Sequence, residues 1–157
     1  MKPIFLLSIA IMALSACAPT QQQSLQSLSE KERLAAAHDE LESVMKKRDK
    51  QVQDAENLAK PAKDACIEKR QAGVIKTYEE SAQCSNQAIV FAFERVEFPY
   101  MDLVQQYADK RVELLRKLDK KEITRATFKK QFREYLKTFM DQTYARDSDK
   151  LVAKFAG

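Results

Sequence analysis

Cys66 and Cys84 flank a stretch that stops one helix and starts another, and this arrangement constrains the fold more than any other feature. Gly73 offers a helix C-terminal stop, since glycine takes the left-handed conformation without a side-chain penalty. Thr77-x-x-Glu80 offers a capping box for the next start. The two cysteines lie almost equally far from this turn, so an antiparallel helical hairpin folded there sets them at the same height. A disulfide closing a loop of about 20 residues contributes roughly 3 kcal/mol in the chain-entropy picture. A metal site and a redox pair are the competing readings. Neither has support, because there is no Cys-x-x-Cys and the only histidine, His38, is far off in sequence.

The remaining pattern extends the hairpin into a bundle. Ser29 opens a first helix, with Glu32 completing a capping box. Leu34, Leu41, Val44, Met45, Val52, Ala55, Leu58 and Ala62 then form one apolar stripe. Arg48 and Gln51 fall in its seam, which disfavours a long regular coiled coil. Pro61 either begins a second helix or kinks the first. Beyond the turn, a helix over about 78–98 carries "AIVFAF" at 88–93, apolar on every side, which predicts a central position. Pro99 breaks or bends the chain, and 101–118 continues as helix. A charged turn follows at 119–122, and Thr124 caps the next helix, with Ile123 and Phe128 at the positions of a hydrophobic staple. Residues 141–157 allow a short final helix around Leu151, Val152 and Phe155. Two glycines among 157 residues leave an all-β fold short of turns. The expectation is therefore all-α: one domain over 29–157, an up-and-down bundle of four or five helices with one disulfide-stapled hairpin.

The N-terminus carries a different signal. Lys2 precedes an apolar run from Ile4 to Leu14, and Ser15 and Ala16 are small residues before Cys17. This is the layout of a signal peptide over residues 1–16, too short for a spanning helix of about 20 residues. Leu14-Ser15-Ala16-Cys17 resembles the lipobox of bacterial lipoproteins. The resemblance implies a diacylglycerol on the Cys17 sulfur, cleavage before Cys17, and an acylated mature N-terminus bearing palmitate-type chains. Ala18, where an inner-membrane retention signal would have Asp, implies the outer membrane with the domain in the periplasm. In a monoderm host it implies the outer face of the plasma membrane instead. Residues 18–28 read as a polar tether, about 40 Å at full stretch and roughly 18 Å on average. Export also sets Cys66 and Cys84 in an oxidising compartment, where a disulfide is the first expectation.

Electrostatic specialisation is local, because the net charge is only +4. From Arg116 to Lys137 nine basic residues (Arg116, Lys117, Lys120, Lys121, Arg125, Lys129, Lys130, Arg133, Lys137) face three acidic ones, an excess of +6. Such a pole suits an anionic envelope partner, whether headgroups, lipopolysaccharide phosphates, acidic wall polymer or an acidic protein surface, and the tether would keep the domain close to an anionic surface. Nucleic acid is not expected as a partner in that compartment. The bland alternative is a solvated helix face.

Phe128, Phe132, Tyr135 and Phe139 recur at helical spacing and read first as core. Tyr78, Tyr100, Tyr107, Tyr135 and Tyr144 are the candidates for an exposed binding face. With His38 as the only histidine, no nucleophile–base arrangement suggests itself, and pairs such as Glu79 with Glu80 or Asp147 with Asp149 read as surface carboxylates. No metal or cofactor is expected apart from the covalent lipid. The functional expectation is a non-enzymatic envelope lipoprotein, anchored through Cys17, whose helical domain binds another envelope component in an accessory or pilotin-like role. The alternative is an inhibitor or exclusion-type protein that blocks a foreign enzyme or conjugation partner.

Overall fold

Ser29 caps the first helix by accepting from the Glu32 amide while the Glu32 carboxylate accepts from the Ser29 amide, the reciprocal pair that the sequence predicts. A computed structural model describes residues 29–156. The signal segment, Cys17 and the tether stretch lie outside the described residues. Four helices follow: α1 (Glu30–Gln71), α2 (Tyr78–Arg95), α3 (Met101–Asp119) and α4 (Arg125–Ala156), with no strand among the described residues. Each packs on its sequence neighbours, and α1 also packs on α4, which closes an up-and-down four-helix bundle.

Three turns make this connectivity, and all three have the same backbone form. Gly73, Glu97 and Lys121 follow α1, α2 and α3 with positive φ of 74°, 54° and 58°. In each, the positive-φ residue and its successor donate back into the last turn: Gly73 to Arg70 and Val74 to Lys69, Glu97 to Glu94 and Phe98 to Phe93, Lys121 to Leu118 and Glu122 to Lys117. These are Schellman motifs, which satisfy carbonyls that a helix end leaves open. Only the first uses glycine.

The disulfide joins Cys66 on α1 to Cys84 on α2 with α-carbons 6.0 Å apart, close to the turn at Gly73. Small residues line the α1–α2 contact, with Ala55, Ala59, Ala82 and Ala92 all at most 2% exposed, so the two backbones approach closely. The wider core is aromatic. Phe93 meets Phe98 edge-on at 5.1 Å, and Phe139 stacks on Phe98 at 5.8 Å while touching Phe93 and Tyr107. Such pairs add about 0.5–1.5 kcal/mol each beyond the area they bury.

Several expectations need correction. Pro61 starts no second helix, since α1 runs without interruption through it. The tail forms no separate short helix, because α4 is continuous to Ala156. "AIVFAF" is not enclosed on every side: Ile89, Ala92 and Phe93 are buried, but Phe91 is 60% exposed. A four-helix square gives each helix two neighbours only, so one face of α2 stays in solvent. Leu34 and Leu58 on the α1 stripe are likewise exposed.

Helix lengths are unequal, and this shapes the molecule. α1 has 42 residues and α4 has 32, against 18 and 19 for α2 and α3. At 1.5 Å per residue α1 is about 60 Å long, roughly twice the length of α2 or α3. The α2–α3 connection meets α1 at Gln51, whose amide donates to the carbonyls of Val96 and Glu97. Beyond that level α1 and α4 continue as a two-helix extension, held by Lys154 on Glu40 and by Arg33 on the Phe155 carbonyl. No helix among the described residues is long and apolar enough to cross a membrane.

Candidate functional site

At the end of the bundle away from the extension, the last turns of α1 and α3 meet the first turns of α2 and α4. The α2 N-terminus is satisfied in two ways. Thr77 accepts from the Glu80 amide, and the Asp119 carboxylate at the end of α3 accepts from the amides of Tyr78 and Glu79 at 3.0 and 2.8 Å. This cross-helix cap ties the α1–α2 turn to the α3–α4 turn. Arg116 closes the same junction by donating twice to Glu79, which holds the Glu79 carboxyl below its ordinary range.

Beside this junction opens a cleft of about 450 Å³. Its apolar lining comes from Ile67, Ala82, Leu115, Leu118 and Phe128, and its polar lining from Tyr78, Ser81, Arg70, Arg111, Arg125 and Lys129. Four cations and no carboxylate therefore border it. None of the four forms an ion pair within the described residues.

Each arginine is positioned. The Arg70 guanidinium lies 4.1 Å from the Tyr78 ring centre, and Arg125 lies 5.8 Å from the same ring while donating to the Tyr78 hydroxyl at 2.6 Å. Arg111 is half-buried, and one of its nitrogens donates to Ser85 Oγ at 2.7 Å and Asn86 Oδ1 at 2.8 Å. Burial pulls its guanidinium below the ordinary value, although an arginine remains a cation at any physiological pH. Its other side-chain nitrogens have no hydrogen-bond partner among the described residues.

The basic run of the sequence is divided by the fold. Arg116 pairs with Glu79, Lys117 with Glu113 and Lys137 with Asp141. Lys120, Lys121, Lys130 and Arg133 are exposed and form no ion pair with a described residue, while Arg125 and Lys129 enter the cleft. Arg70 and Arg111 join them from outside the linear window. The signal for those two was weak: single arginines on helices otherwise read as surface.

This cationic end stands about 60 Å along α1 from Ser29, several times the Debye length of roughly 8 Å.

Other candidates resolve differently. Tyr100 and Tyr107 are 4% and 6% exposed and belong to the core, so the tyrosines do not share an exposed face. Phe139 is core, Phe132 and Tyr135 pack against it half-buried, and Phe128 lines the cleft. His38 is open to solvent. Asp147 is not a surface carboxylate, being 3% exposed and bound by Arg48 and Tyr100. Among the described residues, no three His, Cys, Asp or Glu side chains converge on a metal site.

The architecture defines an up-and-down four-helix bundle with a two-helix extension. No protein-family model, curated protein or solved structure matches the chain.

Proposed function

We propose that the chain is a non-enzymatic envelope lipoprotein, held at the outer membrane through an acylated Cys17, whose helical domain recognises another envelope component. The observation that carries this reading is the sequence "LSAC" at the end of a signal-peptide run. The Cys66–Cys84 bond supports it, because a structural disulfide between helices suits an oxidising compartment. Ser29 and the cationic end occupy opposite ends of α1, an arrangement that favours a domain anchored at one end and binding at the other. Two or more acyl chains hold such an anchor firmly, where one holds only marginally.

The test is fractionation of cells that express the full chain, together with intact-mass measurement of the membrane-bound protein. Cys17 should be the mature N-terminus and carry the mass of its acyl chains, and Cys17→Ala should release the protein from membranes or leave it unprocessed. A free, unacylated Cys17 in the membrane-bound protein overturns the reading.

A further inference from the structure

We infer that the cleft bordered by Arg70, Arg111, Arg125 and Lys129 receives an acidic–apolar peptide segment of a partner protein, its apolar side chain against Phe128 and Leu115 and its carboxylates on the surrounding cations. Charge is the first argument. Each neighbouring cation of the basic run that touches a carboxylate lies outside the cleft, whereas the four lining it have none within the described residues. No carboxylate touches the half-buried Arg111 guanidinium, since Glu56, which acts on it from a distance, is bound by Lys63, and a carboxylate in the cleft would supply the direct partner.

Preorganisation is the second argument. Ser85 and Asn86 fix Arg111 from α2, and Asn86 is itself held by donation to the Ala108 carbonyl at 2.9 Å. Tyr78 sits between Arg70 and Arg125 and restrains both. Guanidinium groups held this way lose little freedom on binding a carboxylate. The apolar lining adds the second half of the specificity. A purely charged partner would leave Ile67 and Phe128 wet, and a purely apolar one would bury cations without counter-charge.

Position is the third. The cleft lies at the end of α1 remote from Ser29, and eleven residues between Cys17 and Ser29 reach about 40 Å at most. When the domain stands upright on its anchor, this end faces another molecule and not the bilayer that would hold Cys17. The inference deepens the proposed function by naming its binding surface, yet the cleft does not depend on acylation. Failure of the Cys17 test leaves it standing, and its own failure leaves the anchor standing.

The experiment is selection of peptides from a random display library against the chain from residue 17 with Cys17→Ser, followed by titration of synthetic copies. The expected consensus sets Asp or Glu beside Leu, Ile or Phe. Its binding should weaken with added salt and fall at least about tenfold in the exposed double variant Arg125→Glu/Lys129→Glu. Arg111→Gln should weaken it similarly, and circular dichroism must show both variants helical. Phe91→Ala, on the solvent face of α2, should change nothing. The inference is overturned if no peptide is enriched, if the consensus lacks acidic residues, or if affinity ignores the Arg125 and Lys129 reversals. It is equally overturned if vesicles of phosphatidylglycerol bind with the same residue dependence and compete the peptides away, since the site would then read a lipid headgroup.

Discussion

Arg48 and Asp147 form a two-point ion pair across the α1–α4 interface, Nε to Oδ2 at 2.8 Å and Nη2 to Oδ1 at 3.1 Å, with the Asp147 side chain only 3% exposed. The Tyr100 hydroxyl donates to the same carboxylate at 2.6 Å, and the second Arg48 amino group donates to Gln51. Asp147 thus has counter-charge and hydrogen bonds together, which a buried carboxylate needs.

Removing one partner of this pair strands the other. Asp147→Ala should cost about 3–5 kcal/mol of unfolding free energy, while the double change Arg48→Met/Asp147→Leu should cost much less because no charge stays buried. Urea titrations of the two variants and the parent check this. Equal losses in both would mean that the pair contributes by shape and not by charge.

Alkaline pH should act through Tyr100. Burial, reinforced by the bond to Asp147, pushes its phenol up to about 12, against about 10 in an unfolded chain. Above pH 10 the unfolded state releases this proton while the folded state keeps it, so stability falls as pH rises. The contribution is fully present below pH 10 and is lost by about pH 12, on the order of 2 kcal/mol from this residue. Unfolding free energies measured from pH 9 to 12 should slope downward, and Tyr100→Phe should lessen the slope without removing it, because burial raises the Tyr107 and Tyr144 phenols as well. An unchanged slope in that variant would assign the effect to other groups.

Asp119 should matter for a helix 40 residues away in sequence. Its carboxylate caps α2 at Tyr78 and Glu79, so Asp119→Ala should cost about 1–2 kcal/mol. Hydrogen exchange should quicken at the Tyr78 and Glu79 amides in particular. Retained protection there would show that Thr77 alone caps the helix.

The turns at Glu97 and Lys121 carry left-handed backbone with ordinary side chains. Glu97→Gly and Lys121→Gly should each stabilise by about 1 kcal/mol, since the strain of a Cβ in that region is removed. Gly73→Ala should destabilise by a similar amount for the same reason, as nothing crowds an added Cβ there and only the backbone resists. Thermal melts of the three variants check both signs.

Local chemistry made most of this fold legible in the sequence. The capping boxes at Ser29 and Thr77 and the stop at Gly73 act over three or four residues, so their signals stand complete in a short window. Pro61 misled because its break signal is also local, while packing against α2 and α4 keeps α1 whole. Arg48 and Gln51 in an apolar seam hinted at buried polar partners, but Asp147 lies 99 residues from Arg48 and nothing nearby marks it. The candidate cleft was half visible. Arg125 and Lys129 belong to a dense basic run, whereas Arg70 and Arg111 join them only once α1 and α3 pack on either side of α2.

The overhang of α1 and α4 beyond the α2–α3 connection has a mechanical consequence. A force applied between Ser29 and the cleft runs along the axis of α1 and loads its contacts with α4 in shear, so Lys154 on Glu40 and Arg48 on Asp147 resist together and not one after another. Farther along, the Cys66–Cys84 bond passes that load covalently from α1 into α2. The molecule is built as a strut under axial tension, and it would give way most easily if its two long helices were peeled apart from their free end.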